Sequence, residues 1–147
     1  MRPRGRALGV DYGQRRIGLA LSDATGLLAR AWKTVARTGN PSQVATALAQ
    51  EVDALAREDD GLGVVVVGLP RRLSGEATEL TDTVLALVDR LRLATAVPIV
   101  LQDERLSSHA ADQLLAEREK DWRKRKAMLD AAAAAVILQD YLDSHGG

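Results

Sequence analysis

The sequence predicts one layered α/β domain over residues 1–147, a five-stranded mixed sheet flanked by helices, and three observations lead there. Two apolar runs, ALGVDY and IGLALS, are separated by a short, glycine-bearing basic turn, the pattern of a β-hairpin. VVVVG at 64–68 is β-branched with no polar alternation, as expected of a strand buried on both faces between helical layers. Apolar residues at helical spacing lie between the later strands, so crossover helices feed parallel strands beside the hairpin.

Taken in order, strands are expected at 6–12 and 16–22, with Tyr12-Gly13-Gln14-Arg15 between them, and a third at about 27–36. Asn40-Pro41 supplies a helix N-cap and a proline at the first helical position. Val44, Leu48, Val52 and Leu55 continue that helix to a stop near Asp59-Asp60-Gly61. The buried strand at 64–68 closes at Leu69-Pro70, and the loop RRLSGE leads to a helix marked by Leu80, Val84, Leu87, Val88 and Leu91. A strand at 97–101 ends in Gln102-Asp103-Glu104-Arg105. Ser107 or Ser108 caps a helix carrying Leu114 and Leu115, EREKDWRKRK at 117–126 is expected as a charge-dense connector, and a last helix covers roughly 127–143. The expected order is therefore βββαβαβαα.

Composition excludes several functions. The 20 basic and 20 acidic side chains cancel, so any site for a polyanion must be local. With no cysteine there are no disulfides, thiolate metal sites or thiol nucleophiles, and two histidines make a zinc site a poor expectation. No stretch approaches the 18 or so consecutive apolar residues that span a bilayer, and the N-terminus lacks an apolar run of signal length. A cytoplasmic protein is expected.

Three carboxylates carry the chemistry. Alternation along the hairpin gathers Ala7, Gly9 and Asp11 with Gly18, Ala20 and Ser22 on one face that lacks bulky side chains. In the last helix Asp130 lies above Ala133, Ala134, Ile137 and Tyr141, at spacings of three, four, seven and eleven. An alanine-rich helix packed on that face brings Asp130 toward Asp11. Glu104, following a strand and opening a loop, stands where α/β folds bind ligands. Three such acids close together repel one another unless cations neutralise them. An oxygen-only donor set points to Mg²⁺ or Mn²⁺. A pair of such ions, about 3.5–4 Å apart in sites of this kind, suits phosphodiester hydrolysis.

GVDYGQRRIGLALSD, VVVVGLP with the downstream Gly75, DERLSS, and the arrangement of Lys126, Asp130, Ala133 and Ala134 lie in order over nearly the whole chain. Together they resemble the YqgF/RuvX-type family of Holliday-junction-resolvase-like nucleases. The resemblance implies an RNase H-like fold and a metal-dependent nuclease of the bacterial cytoplasm that matures the 5′ end of pre-16S rRNA, with junction resolution as the older suggestion. It carries catalytic and metal-ligand roles onto Asp11, Glu104 and Asp130. One departure is the loop after GLP, RRLSG here, where Ser74 stands in place of a common acid and Arg71 and Arg72 become candidates to grip phosphate. A second is the lack of phenylalanine, common in the family's second helix and absent from this chain.

Plainer roles stand beside these. Asp11 suits a strand end or turn, Asp130 suits the first turn of a helix, where the dipole stabilises an acid by about 0.3–1 kcal/mol, and Glu104 suits a solvated surface. Asp103 rivals Glu104, because strand neighbours point to opposite faces and only one of them faces the site. Arg15 and Arg16 are either turn polarity or contacts for phosphates. Arg123, Lys124 and Lys126 around Trp122 offer further phosphate contacts with one ring for stacking, or a solvated charge run. His109 is expected on a helix surface.

Three functions compete. An RNA nuclease leads, possible substrates including structured DNA. A Holliday junction resolvase would need two symmetric sites and hence a dimer, and monomer and homodimer are both open. A non-catalytic RNA-binding or transcription factor is third. An actin-like sugar kinase shares the Asp-Gly-basic loop but needs two domains closing over ATP, and one is expected here.

Overall fold

In the computed structural model the described residues are 5–13, 16–70, 79–103 and 122–145, the side chains of 79 and 122–127 excepted. The strands are β1 Arg6–Tyr12, β2 Arg16–Ser22, β3 Ala29–Ala36, β4 Leu62–Leu69 and β5 Ile99–Asp103. The helices are α1 Pro41–Arg57, α2 Glu79–Ala94 and α3 Trp122–His145. The strands form one sheet in the order β3-β2-β1-β4-β5. β1 pairs antiparallel with β2 and parallel with β4, β2 pairs antiparallel with β3, and β4 pairs parallel with β5. The mixed sheet matches the expected fold class.

Local chemistry sets the element ends. Asn40 caps α1 reciprocally: Gln43 N–H donates to Asn40 Oδ1 at 2.9 Å, and Asn40 N–H donates to Gln43 Oε1 at 2.8 Å. β3 starts at Ala29, later than expected, because Asp23 Oδ1 accepts the N–H groups of Leu27 and Leu28 and keeps both in a turn. β5 runs two residues later than the expected 97–101. Thr95 Oγ1 caps the Val97 N–H and Pro98 has no N–H to give, so pairing begins at Ile99 and continues until Asp103 meets Leu69.

The connector expected over 117–126 is corrected by α3, which already includes 122–126 and is 24 residues long. Arginine and lysine are good helix formers, so a dense run of them does not by itself break a helix. The helix expected after Ser107 or Ser108, with Leu114, Leu115 and His109, lies outside the described residues.

Two apolar layers sandwich the sheet. On one face Leu8, Val10, Tyr12, Ile17, Leu19, Val65 and Val67 pack with α1 and α2 through Val44, Leu48, Val52, Val84, Leu87 and Leu91. On the other, Ala7, Ala20, Val64 and Val66 pack with Ala134, Ile137, Leu138 and Leu142 of α3. Among the described residues no helix is long and apolar enough to cross a membrane.

Candidate active site

The small-residue face of the hairpin and the alanines of α3 meet as the sequence led us to expect, and at closer range than ordinary packing. A Cβ placed on Gly9 would stand 2.8 Å from both the Ala134 carbonyl oxygen and Leu138 Cβ. One on Gly18 would overlap the Asp130 carbonyl oxygen. Only the absence of side chains at these two positions lets helix backbone touch strand backbone.

That contact fixes the site. Gly18 is the antiparallel partner of Asp11, so the helix residue resting on Gly18, Asp130, lies beside the strand residue next to it. Asp11 is 7% exposed, one of three buried polar side chains among the described residues. The other two serve the backbone: Ser22 Oγ accepts from Ala7 N–H and donates to the Asp23 carbonyl, and Thr81 Oγ1 donates to the Pro70 carbonyl. A carboxylate in such a place is costly to bury and gains most from cationic neighbours.

Asp130 is the ninth residue of α3, so the first-turn reading of this acid is corrected: the dipole acts over the first turn only. The seam beneath it is also adjusted. Ala134, Ile137 and Tyr141 face the sheet together with Leu138 and Leu142, whereas Ala133 groups with Ala132, Leu129 and Val136. Asp130 is partly exposed, with Oδ2 accepting from Arg16 Nε at 3.1 Å. Arg16, expected as turn polarity or a phosphate contact, is thus the ion-pair partner of one of the acids.

The row of residues on the α3 side runs from Gly18 through Asp11 to Gly68 and Gln102, since Gly68 pairs with Gln102 and Val10 with Val67 one residue earlier. Asp103 is on the other side, following Ile99 and Leu101, which pack toward α1 and α2. Glu104, Arg15, Arg71 and Arg72 lie outside the described residues, as do the side chains of Arg123, Lys124 and Lys126. Among the described residues no group of three metal-ligating side chains occurs, and of the three expected acids two are described, Asp130 resting on Gly18, the strand partner of Asp11.

Sequence reasoning missed Arg37. Its guanidinium lies 4.3 Å from the centre of the Tyr12 ring and Nη1 donates to the Gly13 carbonyl at 3.0 Å, pinning the hairpin turn that separates Asp11 from Arg16. The β2–β3 register places it there: Arg16 pairs with Ala36, which puts the next residue beside the turn.

A mixed five-stranded sheet in the order β3-β2-β1-β4-β5, covered by helices on both faces, is an RNase H-like fold. Solved structures share the fold, among them two that align along nearly the whole chain. Thermus thermophilus RuvC in complex with a Holliday junction substrate aligns with a TM-score of 0.53 and 19% identity, over 97% of this chain and 96% of that one. The human cytomegalovirus terminase nuclease domain, soaked with Mn, aligns at 0.51 and 12%, over 97% and 86%. Within that class, the chain belongs to the RuvX family of nucleases, whose model, described as Holliday junction resolvase, matches residues 5–144.

Curated relatives agree. A protein of Clavibacter michiganensis subsp. michiganensis is 41% identical over 140 residues, 95% of this chain and 84% of that one. One of Desulforudis audaxviator is 36% identical over 139 residues, 95% and 94%. Both are named as candidate pre-16S rRNA nucleases.

Proposed function

We propose that the protein is a divalent-metal-dependent nuclease that cleaves RNA in the 5′-end maturation of pre-16S rRNA. The observation that carries this reading is the contact of Asp130 with Gly18, which sets one acid beside the buried Asp11 in a chain whose relatives are named for that substrate. Asp11, Asp130 and Glu104 are the proposed ligands. Glu104 is preferred to Asp103 because Asp103 follows the alternation of the opposite face.

The donor chemistry suits a hard ion. Both acids offer oxygen, the chain has no cysteine, and His145 is stacked on Tyr141 in the last turn of α3, far along the helix from Asp130. Mg²⁺ or Mn²⁺, as a pair of ions, would supply an activated water and stabilise the departing oxygen. The chain's own part is to hold the acids rigidly. α3 fixes Asp130 through the backbone contact at Gly18, and the paired strands fix Asp11. Arg15, Arg16, Arg71, Arg72, Arg123, Lys124 and Lys126 are the proposed contacts to phosphates flanking the cut bond, which position the strand without selecting its sequence.

Resolution of four-way DNA junctions is the second reading, favoured by the description of the family model. One experiment separates them. Wild type, Asp11→Asn and Glu104→Gln are incubated with labelled rRNA precursor and with a four-way junction in Mg²⁺, Mn²⁺ or EDTA. Cleavage of the precursor is expected to require metal and to fall at least about 100-fold in either variant, since even outer-shell partners of metal ligands cost 10–100-fold. Cleavage in EDTA, or full activity in the variants, would sink the mechanism. Paired symmetric nicks in the junction with an intact precursor would select resolution, and tight binding without cleavage in any metal a non-catalytic RNA-binding role.

A further inference from the structure

The pairing of Arg16 with Asp130 is not explained by turn polarity, and it leaves a proposed ion ligand already engaged. Arg16 is the first residue of β2, and its Nε donates to Asp130 Oδ2 at 3.1 Å from a helix 114 residues further along the chain. The other oxygen, Oδ1, lies over the turn, where a Cβ on Gly13 would stand 3.5 Å from it. The guanidinium is therefore held against the carboxylate on the hairpin side of the site.

We propose that Arg16 competes with the divalent ion for Asp130 and so sets the ion affinity of the site, a proposal that rests on the metal-dependent reading above. A guanidinium and a divalent cation both neutralise a carboxylate, and when both are drawn to the same one their positive charges repel each other. The side chains of Arg16 and Asp130 are 42% and 26% exposed, so the pair is a partly solvated one that an incoming ion can displace. Once displaced, Arg16 stands at the hairpin turn with its five donors open to a phosphate of the nucleic acid. Ion and nucleic acid then favour each other's binding: the ion frees the arginine for phosphate, and phosphate draws the arginine away from Asp130. Arg16 is in this sense a positioning residue, acting through Asp130.

The test is a titration of the whole protein with Mn²⁺ at low ionic strength, without nucleic acid, in which free Mn²⁺ is followed by its electron paramagnetic resonance signal. Wild type, Arg16→Gln, Arg16→Lys and Asp130→Asn are compared, and thermal melting of each confirms that it is folded. Arg16→Gln is expected to bind Mn²⁺ about two- to fivefold more tightly than wild type, equivalent to about 0.4–1 kcal/mol. Arg16→Lys, which keeps the charge, is expected to return toward the wild-type affinity.

An Arg16→Gln affinity equal to or weaker than wild type overturns the proposal, as does an Arg16→Lys protein that binds as tightly as Arg16→Gln. Asp130→Asn separates this failure from that of the metal reading. If that variant loses Mn²⁺ affinity while Arg16→Gln is unchanged, the competition is wrong and the metal site stands. If Asp130→Asn binds Mn²⁺ like wild type, Asp130 is not a ligand and both fall.

Discussion

On one face of the sheet Leu8, Val10, Leu19, Val65 and Val67 meet the leucines and valines of α1 and α2, and on the other Ala7, Gly9, Gly18 and Ala20 meet α3. The first layer gains its stability from the volume and apolar area it removes from water. The second gives up that volume for proximity. Because Gly9 and Gly18 carry no side chain, the backbone of α3 comes down onto the hairpin, and an acid in its third turn reaches the row that holds Asp11. One face chiefly holds the protein together and the other chiefly builds the proposed site, so stability and activity should separate when each is perturbed.

Substitutions can break that division. The largest loss of stability is expected from Leu48→Ala on α1, a side chain 1% exposed in the large-residue layer. It should lower the unfolding free energy in urea by about 2–5 kcal/mol while activity per folded molecule is kept. A parallel loss of activity in the folded fraction would show that the two layers are not independent.

Gly18→Ala should cost less stability and more function. Its new Cβ meets helix backbone that cannot rotate away, so overpacking of about 1–3 kcal/mol is expected, together with loss of cleavage as α3 carries Asp130 off the site. Cleavage at the wild-type rate in this variant would remove the proposed role of the close contact.

The smallest effect sharpens the comparison at the solvent side of α3. Burial, and after it the charge of Asp143, raises the pKa of Asp140 above the ordinary 3.8. The folded state then holds this proton more tightly than the unfolded chain, so the ionised carboxylate weakens folding at neutral pH and the penalty is relieved as pH falls through the raised value. Asp140→Asn should raise the Tm at pH 7, within the roughly 0.5 kcal/mol of a surface change, and the gain should vanish below about pH 3.8. A gain that persists in acid would assign it to something other than charge.

Much of this was legible in the residues. The hairpin followed from two apolar runs and a glycine turn, β4 from VVVVG, and α1 from its Asn40-Pro41 start, because each signal is local and its competitors are weak. The packing of α3 on the hairpin was also foreseeable, since one small-residue face and one alanine-rich helix complement each other. Less legible was where α3 begins, since a run of arginines and lysines suits an exposed helix as well as a connector. The starts of β3 and β5 turned on hydrogen bonds from Asp23 and Thr95 that a hydropathy pattern does not register.

The sequence by itself determined which residues are able to do chemistry: aspartates at 11 and 130, a basic turn between two strands, and no thiol anywhere. It also determined the alternation that puts Asp11 on the small-residue side. Tertiary structure alone decided what those residues do to each other. Strand register made Gly18 the neighbour of Asp11 and Ala36 the neighbour of Arg16, which brought Arg37 to the turn. Helix docking then set Asp130 within reach of Arg16, across 114 residues of chain. Such contacts depend on the sum of packing over the whole sheet, a long-range quantity that no window of sequence contains.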